Sequence, residues 1–230
     1  MMAEQASRVG NMDDGGTLAR AASKAGEAPS SETRAHLLDV AFAEMHEHGF
    51  QGLRVDVLLA KAHLTKGAFY HYFASKTDLG LAVIDELLAG YADLIWGQHL
   101  QQFEDPLEGI EASFSFAMGL LGPRLMTLGC PMNNLAQEMS ALDERFRARL
   151  DALFAGIVRH IATALEGGKE RGLIRPEVDC ENAATFIFAA FEGAIGLAKS
   201  AKNAKALISA QSEMRRYFET LRADGGGGKR

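Results

Sequence analysis

The sequence is poor in the features that disulfide bonding and membrane insertion need. It has two cysteines, Cys130 and Cys180, which are too few and too far apart to form a disulfide framework. Its most apolar stretch, 185–198, is shorter than a membrane span and is interrupted by Glu192. No apolar secretory segment opens the chain. We therefore expect a cytoplasmic protein that does not enter a membrane.

Catalytic and cofactor-binding signatures are also missing. No Ser-His-Asp or Cys-His arrangement and no glycine-rich phosphate-binding loop stands at the spacing of known enzyme motifs. His46 and His48 have no second ligand four residues further on, so they do not predict a metal site. We expect no catalytic residue, no cofactor and no metal. An all-α enzyme that uses Cys130 or Glu192 is the least favoured hypothesis.

Positive charge is a third feature in short supply. The formal net charge is −6, which argues against a chain that binds nucleic acid over its whole surface. Between positions 34 and 79, five acidic residues balance the five basic ones. The basic residues are Arg34, Arg54, Lys61, Lys66 and Lys76. A positive surface there would have to come from the placement of a few side chains.

Residues 55–79 have the apolar spacing of two short helices joined by a tight turn. Apolar residues at helical spacing form one face of the first helix: Val55, Leu58, Leu59 and Ala62. His63 and Leu64 break this helix, and Thr65 is a good N-cap for the next one. The order of helix, turn and helix predicts a helix-turn-helix motif, which binds DNA through its second helix.

That second helix has an inward and an outward side. Aromatic residues at helical spacing are expected to point inward: Phe69, Tyr72 and Phe73. On the other side Lys66 and His71 can donate hydrogen bonds to base edges or phosphates. Gly67 lets the backbone come close, and Tyr70 offers a ring and a hydroxyl. Ser75 and Lys76 begin a further helix, whose free N–H groups would hold a phosphate.

These residues resemble the tetracycline-repressor (TetR) family of bacterial regulators. The similarity runs from Gly49-Phe50 to Leu79 and is strongest over 65–73, which reads TKGAFYHYF, and the Ser75-Lys76 that follows. The resemblance implies binding of double-stranded operator DNA. The residues that we predict to contact DNA are Arg54, Thr65, Lys66, Gly67, Ala68, Tyr70, His71, Tyr72 and Lys76.

The segment departs from the family pattern at three positions. The family usually has Thr or Ser where this chain has Leu53-Arg54, so the usual cap of the first motif helix is absent and Arg54 would offer a charged phosphate contact instead. The family usually has Gly in the turn, so His63 must adopt the left-handed conformation here. The usual acidic residue after the first Val is displaced, with Asp56 one place early.

The whole chain is predicted to be all-α, because prolines are few and alanine, leucine, glutamate and arginine are frequent. We expect a disordered tail over 1–30 and a three-helix head with the helix-turn-helix motif over 31–79. A larger helical ligand-binding and dimerisation domain follows over 80–222, and a flexible tail over 223–230. The resemblance implies a homodimer formed by the last two helices, and small residues in 183–196 would allow close helix approach.

A Gly-Cys segment, Gly129-Cys130-Pro131, is the second informative stretch. Pro131 suits a first helical position, which makes Cys130 the N-cap. A thiol there would have a lowered pKa if solvent reached it. The segment resembles that of TetR relatives that respond to electrophiles or small unsaturated acids. The alternative is that Cys130 is a small buried residue in a tight turn.

An unknown small-molecule effector is expected in the larger domain. The candidate ligand or sensor residues are Cys130, Trp96, His99, Phe116, Asn134 and Glu192. Each has a structural alternative: Trp96 and His99 suit core packing, and Asn134 suits hydrogen bonding of its own turn. Glu192 needs a partner inside an apolar helix, whether a ligand, another subunit or water.

Two functions remain open from the sequence. The leading hypothesis is a homodimeric repressor that releases its operator when an effector or electrophile reaches the larger domain. The alternative is a DNA-binding protein of the same fold that has no effector and acts in chromosome organisation. Binding at many genomic sites without ligand-dependent release would distinguish the second from the first.

Overall fold

The computed structural model describes residues 29–223, and apart from 29, 30 and 223 both predicted tails lie outside them. The described residues divide into two compact units, 29–87 and 88–223, whereas the predicted boundary follows Leu79. The first unit, the head, contains α1 (Pro29–Gly52), α2 (Val55–Ala62), α3 (Lys66–Tyr72) and α4 (Lys76–Ala82). A π-helical segment (Val83–Leu88) follows, and its last residue is the first of the second unit.

The second unit, the body, begins with short helical pieces and continues with longer helices. It contains α5 (Ala89–Ala92), a π-helical segment (Asp93–His99), a 3-10 turn (Leu100–Gln102), α6 (Pro106–Leu121), α7 (Pro123–Leu128), α8 (Pro131–Met139), α9 (Glu144–Glu170), α10 (Cys180–Ala201) and α11 (Lys205–Leu221). The described residues form no β-sheet, only an isolated bridge between Ile174 and Arg222. The predicted all-α class is therefore confirmed.

Helix α1 braces the helix-turn-helix motif by packing against both α2 and α4. Its regular part ends at Gly49, whose φ of 76° is open to glycine and costly for other residues. The head core consists of fully buried apolar side chains, among them Leu37, Leu58, Phe69 and Leu79. Each such burial stabilises the head by roughly 1.5–3 kcal/mol.

The turn between α2 and α3 has the geometry that the sequence required. His63 adopts the left-handed conformation, with φ 55° and ψ 39°. Thr65 caps α3, because its Oγ accepts a hydrogen bond from the Ala68 N–H at 3.2 Å. Ser75 caps α4 in the same way, with its Oγ 3.1 Å from the Asp78 N. Arg54 precedes α2 without a capping side-chain hydrogen bond.

In the body, α10 packs against α7, α9 and α11. Side-chain caps and prolines fix where the neighbouring helices begin. Asp105 accepts from the Leu107 N–H at 2.8 Å at the start of α6, and Asp179 accepts from the Asn182 N–H at 3.0 Å at the start of α10. Pro131 occupies the first turn of α8, with Cys130 as the N-cap residue.

Helix α10 is also the one described helix that is long and apolar enough to cross a membrane. That is weak support for a span, since the core helix of a water-soluble domain has the same composition. Here Glu192 lies in the middle of α10 and is buried within the body. Other positions on α10, Phe186 and Leu197, are apolar and exposed. A partner surface that covers them would account for the apolar composition.

Candidate DNA-binding surface and effector region

Helix α3 presents a set of exposed side chains on a buried base. Lys66, Gly67, Tyr70 and His71 are exposed, whereas Phe69 is fully buried. The Lys66 ammonium lies 6.0 Å from the centroid of the Tyr70 ring, in the predicted i,i+4 relation. Because the base of α3 is fixed by the head core, its outer face is rigid. A short rigid helix with such a face fits the major groove of DNA.

Other residues predicted to contact DNA have local structural roles. The Thr65 hydroxyl and the Ala68 N–H form the cap of α3. Tyr72 is half-buried, and its ring meets the His71 ring edge-on with 4.9 Å between centroids. Tyr72 therefore packs on the side of α3, and the Thr65 hydroxyl is already engaged as the N-cap of that helix.

The two cations predicted to bind phosphate outside α3 are engaged within the head. Arg54 forms two hydrogen bonds with Asp56, at 2.6 Å from Nη2 and 3.2 Å from Nε. Lys76 donates to the Gln51 carbonyl at 3.1 Å and lies 4.9 Å from the centroid of the Phe50 ring. Both Arg54 and Asp56 are exposed, so their ion pair is weak and a phosphate can replace Asp56.

Ion pairs also hold the other basic residues of the head. Arg34 pairs with Glu86, and Lys61 pairs with the buried carboxylate of Glu44. Two of the five cations between positions 34 and 79 lie over aromatic rings: Lys66 over Tyr70, and Lys76 over Phe50, where it also donates to the Gln51 carbonyl. Of these two, Lys66 lies on α3 itself. The positive charge available at the outer face of α3 therefore comes first from Lys66.

A cluster of possible metal ligands lies on α1. Glu44, Glu47 and His48 bring ligand atoms within 4.8 Å of one another. The spacing test for a ligand four residues after each histidine does not find this group, because Glu44 stands four residues before His48. The Lys61 ammonium already neutralises Glu44, so we assign no metal to this cluster.

The body contains a cavity of about 330 Å³ between α6, α10 and α11. Its lining is mostly apolar and aromatic: Phe114, Met118, Phe191, Ala194, Leu207, Ile208, Met214 and Phe218. Its polar part is an ion pair between Glu111 and Arg215, with 2.7 Å between Oε1 and Nε. An apolar molecule with one polar end fits such a cavity.

None of the six predicted ligand residues lines this cavity. The prediction was based on residues that stand out in their local sequence. The sequence does not show that α6, α10 and α11, which are far apart along the chain, meet in space. Trp96 is buried and packs edge-on against Phe114 and Phe188, with centroids 5.0 Å and 6.2 Å away. This is the packing alternative, and no ligand is needed to explain the indole.

His99 and Phe116 form a second aromatic contact apart from the cavity. Their rings are stacked at 4.5 Å with 3° between planes. The His99 Nδ1 lies 3.1 Å from the Oγ of the fully buried Ser113. Burial lowers the pKa of His99, which favours the neutral ring. Stacking on Phe116 and the contact with Ser113 thus account for the position of the His99 ring without a ligand.

Asn134 holds the turn between α7 and α8 together. Its Nδ2 donates to the Leu128 carbonyl at 2.6 Å, and its Oδ1 accepts from the Lys199 ammonium at 3.1 Å. Gly129 in the same turn has a φ of 83°, and a Cβ there would lie 2.9 Å from the Lys199 Cδ. The structural alternative therefore accounts for Asn134, whose amide is already occupied.

Cys130 and Glu192 come together inside the body, from α8 and α10. Cys130 is 4% exposed and Glu192 is 9% exposed. The Cys130 thiol and the Asn133 side-chain amide act to lower the pKa of the Glu192 carboxyl but are outweighed by burial, and its Oε2 has no hydrogen-bond partner. The two residues are thus buried polar groups inside the body, and Asn133, a possible ligand contact from the sequence beside Asn134, also acts on Glu192.

The condition for a lowered pKa of the Cys130 thiol, that solvent reaches it, is not met in the folded protein, where Cys130 is buried. Burial raises the pKa of this thiol well above its ordinary value, and the Glu192 charge raises it further. The helix N-terminus acts in the predicted direction through the Met132 and Asn133 N–H groups, but it is outweighed. Burial also raises the pKa of Glu192 to about 7.

The fold and these surfaces define a two-unit helical protein with a helix-turn-helix head, the architecture of a DNA-binding regulator. Residues 37–83 match the family model of bacterial regulatory proteins of the tetR family, and 106–214 match the tetracyclin repressor-like C-terminal domain. The chain belongs to the TetR family of transcriptional regulators.

Individual relatives and solved structures agree with this assignment. The transcriptional regulator AcuR of Cereibacter sphaeroides is 30% identical over 80% of this chain and 84% of its own. The transcriptional repressor NemR of Escherichia coli is 27% identical over 82% and 95%. The reduced form of NemR superposes with a TM-score of 0.73 at 26% identity, over 84% of this chain and 97% of NemR.

The raised pKa of Glu192 predicts a pH dependence of stability. Its ordinary pKa is 4.5 and its folded value is about 7, so the folded state binds the proton more tightly. This group therefore destabilises the fold progressively as the pH rises from 4.5 to 7, by about 3 kcal/mol in total. Urea unfolding of wild type and Glu192→Gln between pH 5 and 8 should show this loss in wild type alone.

The comparison of the two proteins isolates Glu192 from other groups. Burial also raises the pKa of Asp39, to about 6, which gives both proteins a slope of the same sign. The difference between their free energies of unfolding removes that contribution. A difference that stays constant from pH 5 to pH 8 would show that Glu192 titrates normally.

Proposed function

We propose that this regulator is a homodimeric repressor that acts in the cytoplasm and releases its operator when an electrophile or small ligand reaches the body. The exposed face of α3, with Lys66, Gly67, Tyr70 and His71 above the buried Phe69, carries this proposal. In a dimer the two copies of α3 would lie about 34–36 Å apart and enter successive major grooves of a near-palindromic site.

Single substitutions on α3 test the DNA contact. Lys66→Ala and Tyr70→Ala should each weaken operator binding by about 1–3 kcal/mol, and Lys66→Ala should also reduce the salt dependence by about one phosphate contact. Fluorescence anisotropy with the DNA upstream of the gene and a scrambled duplex, at several salt concentrations, measures both effects.

Lys205→Ala is the matched control, since Lys205 is an exposed lysine on α11 of the body. It should leave affinity and salt dependence unchanged. Equal losses in the Lys66 and Lys205 variants would mean that overall charge, and not α3, governs binding.

Exposed apolar residues on the last two helices support dimerisation through α10 and α11. Leu197 on α10 is 65% exposed, and Ile208 on α11 is 66% exposed. Leu→Glu at position 197 should place a charge in the interface and convert the dimer to a monomer, which sedimentation velocity would detect. Leu142→Glu is the control, because Leu142 is similarly exposed (61%) but lies between α8 and α9.

Retention of a dimer by the Leu197→Glu protein at micromolar concentration would contradict this interface. A monomer formed by both variants would point to general destabilisation. Circular dichroism of each variant distinguishes that case, because a loss of fold lowers the helical signal.

The body offers two places for an effector, the apolar cavity and the Cys130 thiol. We favour the thiol because Cys130 is the N-cap residue of α8 in a Gly-Cys segment that resembles that of electrophile-responsive TetR relatives. Since the thiol is buried and its pKa is raised, the reaction requires the body to open far enough to admit the electrophile. N-ethylmaleimide should then release wild-type protein from its operator, whereas Cys130→Ser should bind DNA and remain bound. Cys180→Ser, which removes the other thiol, should respond like wild type.

Release of the Cys130→Ser protein by N-ethylmaleimide would exclude the thiol as the sensor and leave the cavity as the effector site. Binding at many unrelated sequences, with no release by any small molecule, would favour the chromosome-organising alternative. Genome-wide selection of bound DNA measures the number of sites directly.

A further inference from the structure

The cavity between α6, α10 and α11 combines an apolar interior with one polar place on its rim. We propose that it binds a neutral, mostly apolar molecule whose single polar end is a hydroxyl or a primary amide. The inference deepens the proposed function and rests on it in one respect, since it names the chemical class of a small ligand for the body. The site is separate from Cys130, which is not among the residues that line the cavity.

The apolar part of the cavity has room for a small molecule. Of its lining residues, Ala194, Met214 and Phe218 are buried, whereas Phe114 and Phe191 are half-buried. The rings of the two half-buried residues meet with 4.0 Å between centroids and 34° between planes. Aromatic side chains that stay partly open in a concave site leave apolar area for a ligand to cover. The volume of about 330 Å³ restricts that ligand to a small molecule.

The polar place on the rim consists of Glu111 on α6 and of Gln211 and Arg215 on α11. Glu111 accepts three hydrogen bonds on a single carboxylate oxygen, Oε1. They come from the Arg215 Nε at 2.7 Å, from the Arg215 Nη2, and from the Gln211 Nε2 at 3.4 Å. Among the described residues, these bonds leave the Glu111 Oε2 open as an acceptor and the Arg215 Nη1 open as a donor.

The charges on the rim favour a neutral polar end over a charged one. Glu111 and Arg215 are the charged residues of the lining, and their ion pair leaves the rim without net charge. A carboxylate on the ligand would be attracted by Arg215 and repelled by Glu111, and an ammonium group would meet the opposite conflict. A hydroxyl or a primary amide has both a donor and an acceptor. It can donate to the Glu111 Oε2 and accept from the Arg215 Nη1 while the ion pair stays intact.

Isothermal titration calorimetry of the full-length protein, without DNA, tests the ligand class. Octanamide is the neutral probe, and octanoate and octylamine have a similar chain with a negative or a positive end. Octanamide should bind about tenfold more tightly than either charged probe. In the series from butanamide to decanamide, affinity should rise about fourfold with each methylene group until the cavity is filled, and then level off.

Two charge-changing variants test the rim. Glu111→Gln removes the negative charge and leaves Arg215 without its ion pair, so this variant should prefer octanoate to octanamide. Arg215→Gln leaves Glu111 without its ion pair and should prefer octylamine. Each ratio of affinities should change by about tenfold or more. A residue that only supports the fold would weaken all three probes together and would not change their order.

A cavity-filling variant tests the interior. Ala210 lines the cavity, so Ala210→Phe should occupy the space and abolish octanamide binding. Ala155→Phe is the matched control, because Ala155 is exposed on α9 and is not a lining residue. It should bind octanamide like wild type. Circular dichroism checks that each variant is folded.

Several results would overturn the inference. Equal affinity for the three probes, or an affinity that keeps rising with chain length, would mean unspecific adsorption. Retained binding by Ala210→Phe would place the probe elsewhere. Ile208, which we assign to the dimer interface, also lines the cavity. Binding by the Leu197→Glu monomer but not by the dimer would therefore show that a second copy fills the space.

Operator binding is measured separately by fluorescence anisotropy, so the two proposals can fail independently. A wild-type protein that binds its operator but not octanamide contradicts the cavity ligand alone. A protein that binds octanamide with the expected charge preference but binds no operator supports the cavity ligand and contradicts the proposed function.

Discussion

The body is built around a carboxyl group that folding has removed from water. Glu192 lies in the middle of α10, and α10 packs against α7, α9 and α11, so no small shift of one helix would return the carboxyl to solvent. Desolvation raises its pKa to about 7, and its Oε2 has no hydrogen-bond partner. An apolar residue would fill this position at lower cost. A buried carboxyl group that lowers stability in an otherwise apolar helix is expected at a functional position.

Helix α10 also links this buried carboxyl group to the surface that we assign to the dimer. Glu192 points into the body, whereas Leu197 on the same helix is exposed. The interior around Cys130 is close-packed, so an adduct on its sulfur would need new space. That space would have to come from separation of α8 and α10. Because Glu192 and Leu197 lie on the same helix, a shift of α10 at Glu192 would also move Leu197.

Local signals were predictable from the sequence, and long-range contacts were not. The Thr65 cap, the left-handed His63 and the Pro131 start of α8 each depend on a few neighbouring residues, and the sequence predicts them. The cavity depends on Glu111 and Arg215, which are 104 positions apart. The sign of the Cys130 pKa shift depended on burial and on Glu192, which periodicity does not reveal. The ligand-residue prediction thus included both residues without predicting that they come together inside the body.

In the head, three of the five basic side chains between positions 34 and 79 already form ion pairs, which limits the positive charge available to DNA. Arg34, Arg54 and Lys61 are held by carboxylates, so the head attracts phosphate less than its count of basic residues suggests. Sequence-independent attraction depends on the number of phosphates neutralised, and few free cations mean a weak general affinity. Discrimination must then come from the fit of α3, where Lys66 and Tyr70 share one exposed turn. A weak background and a short rigid contact surface favour a protein that leaves DNA after a modest displacement of its recognition helices.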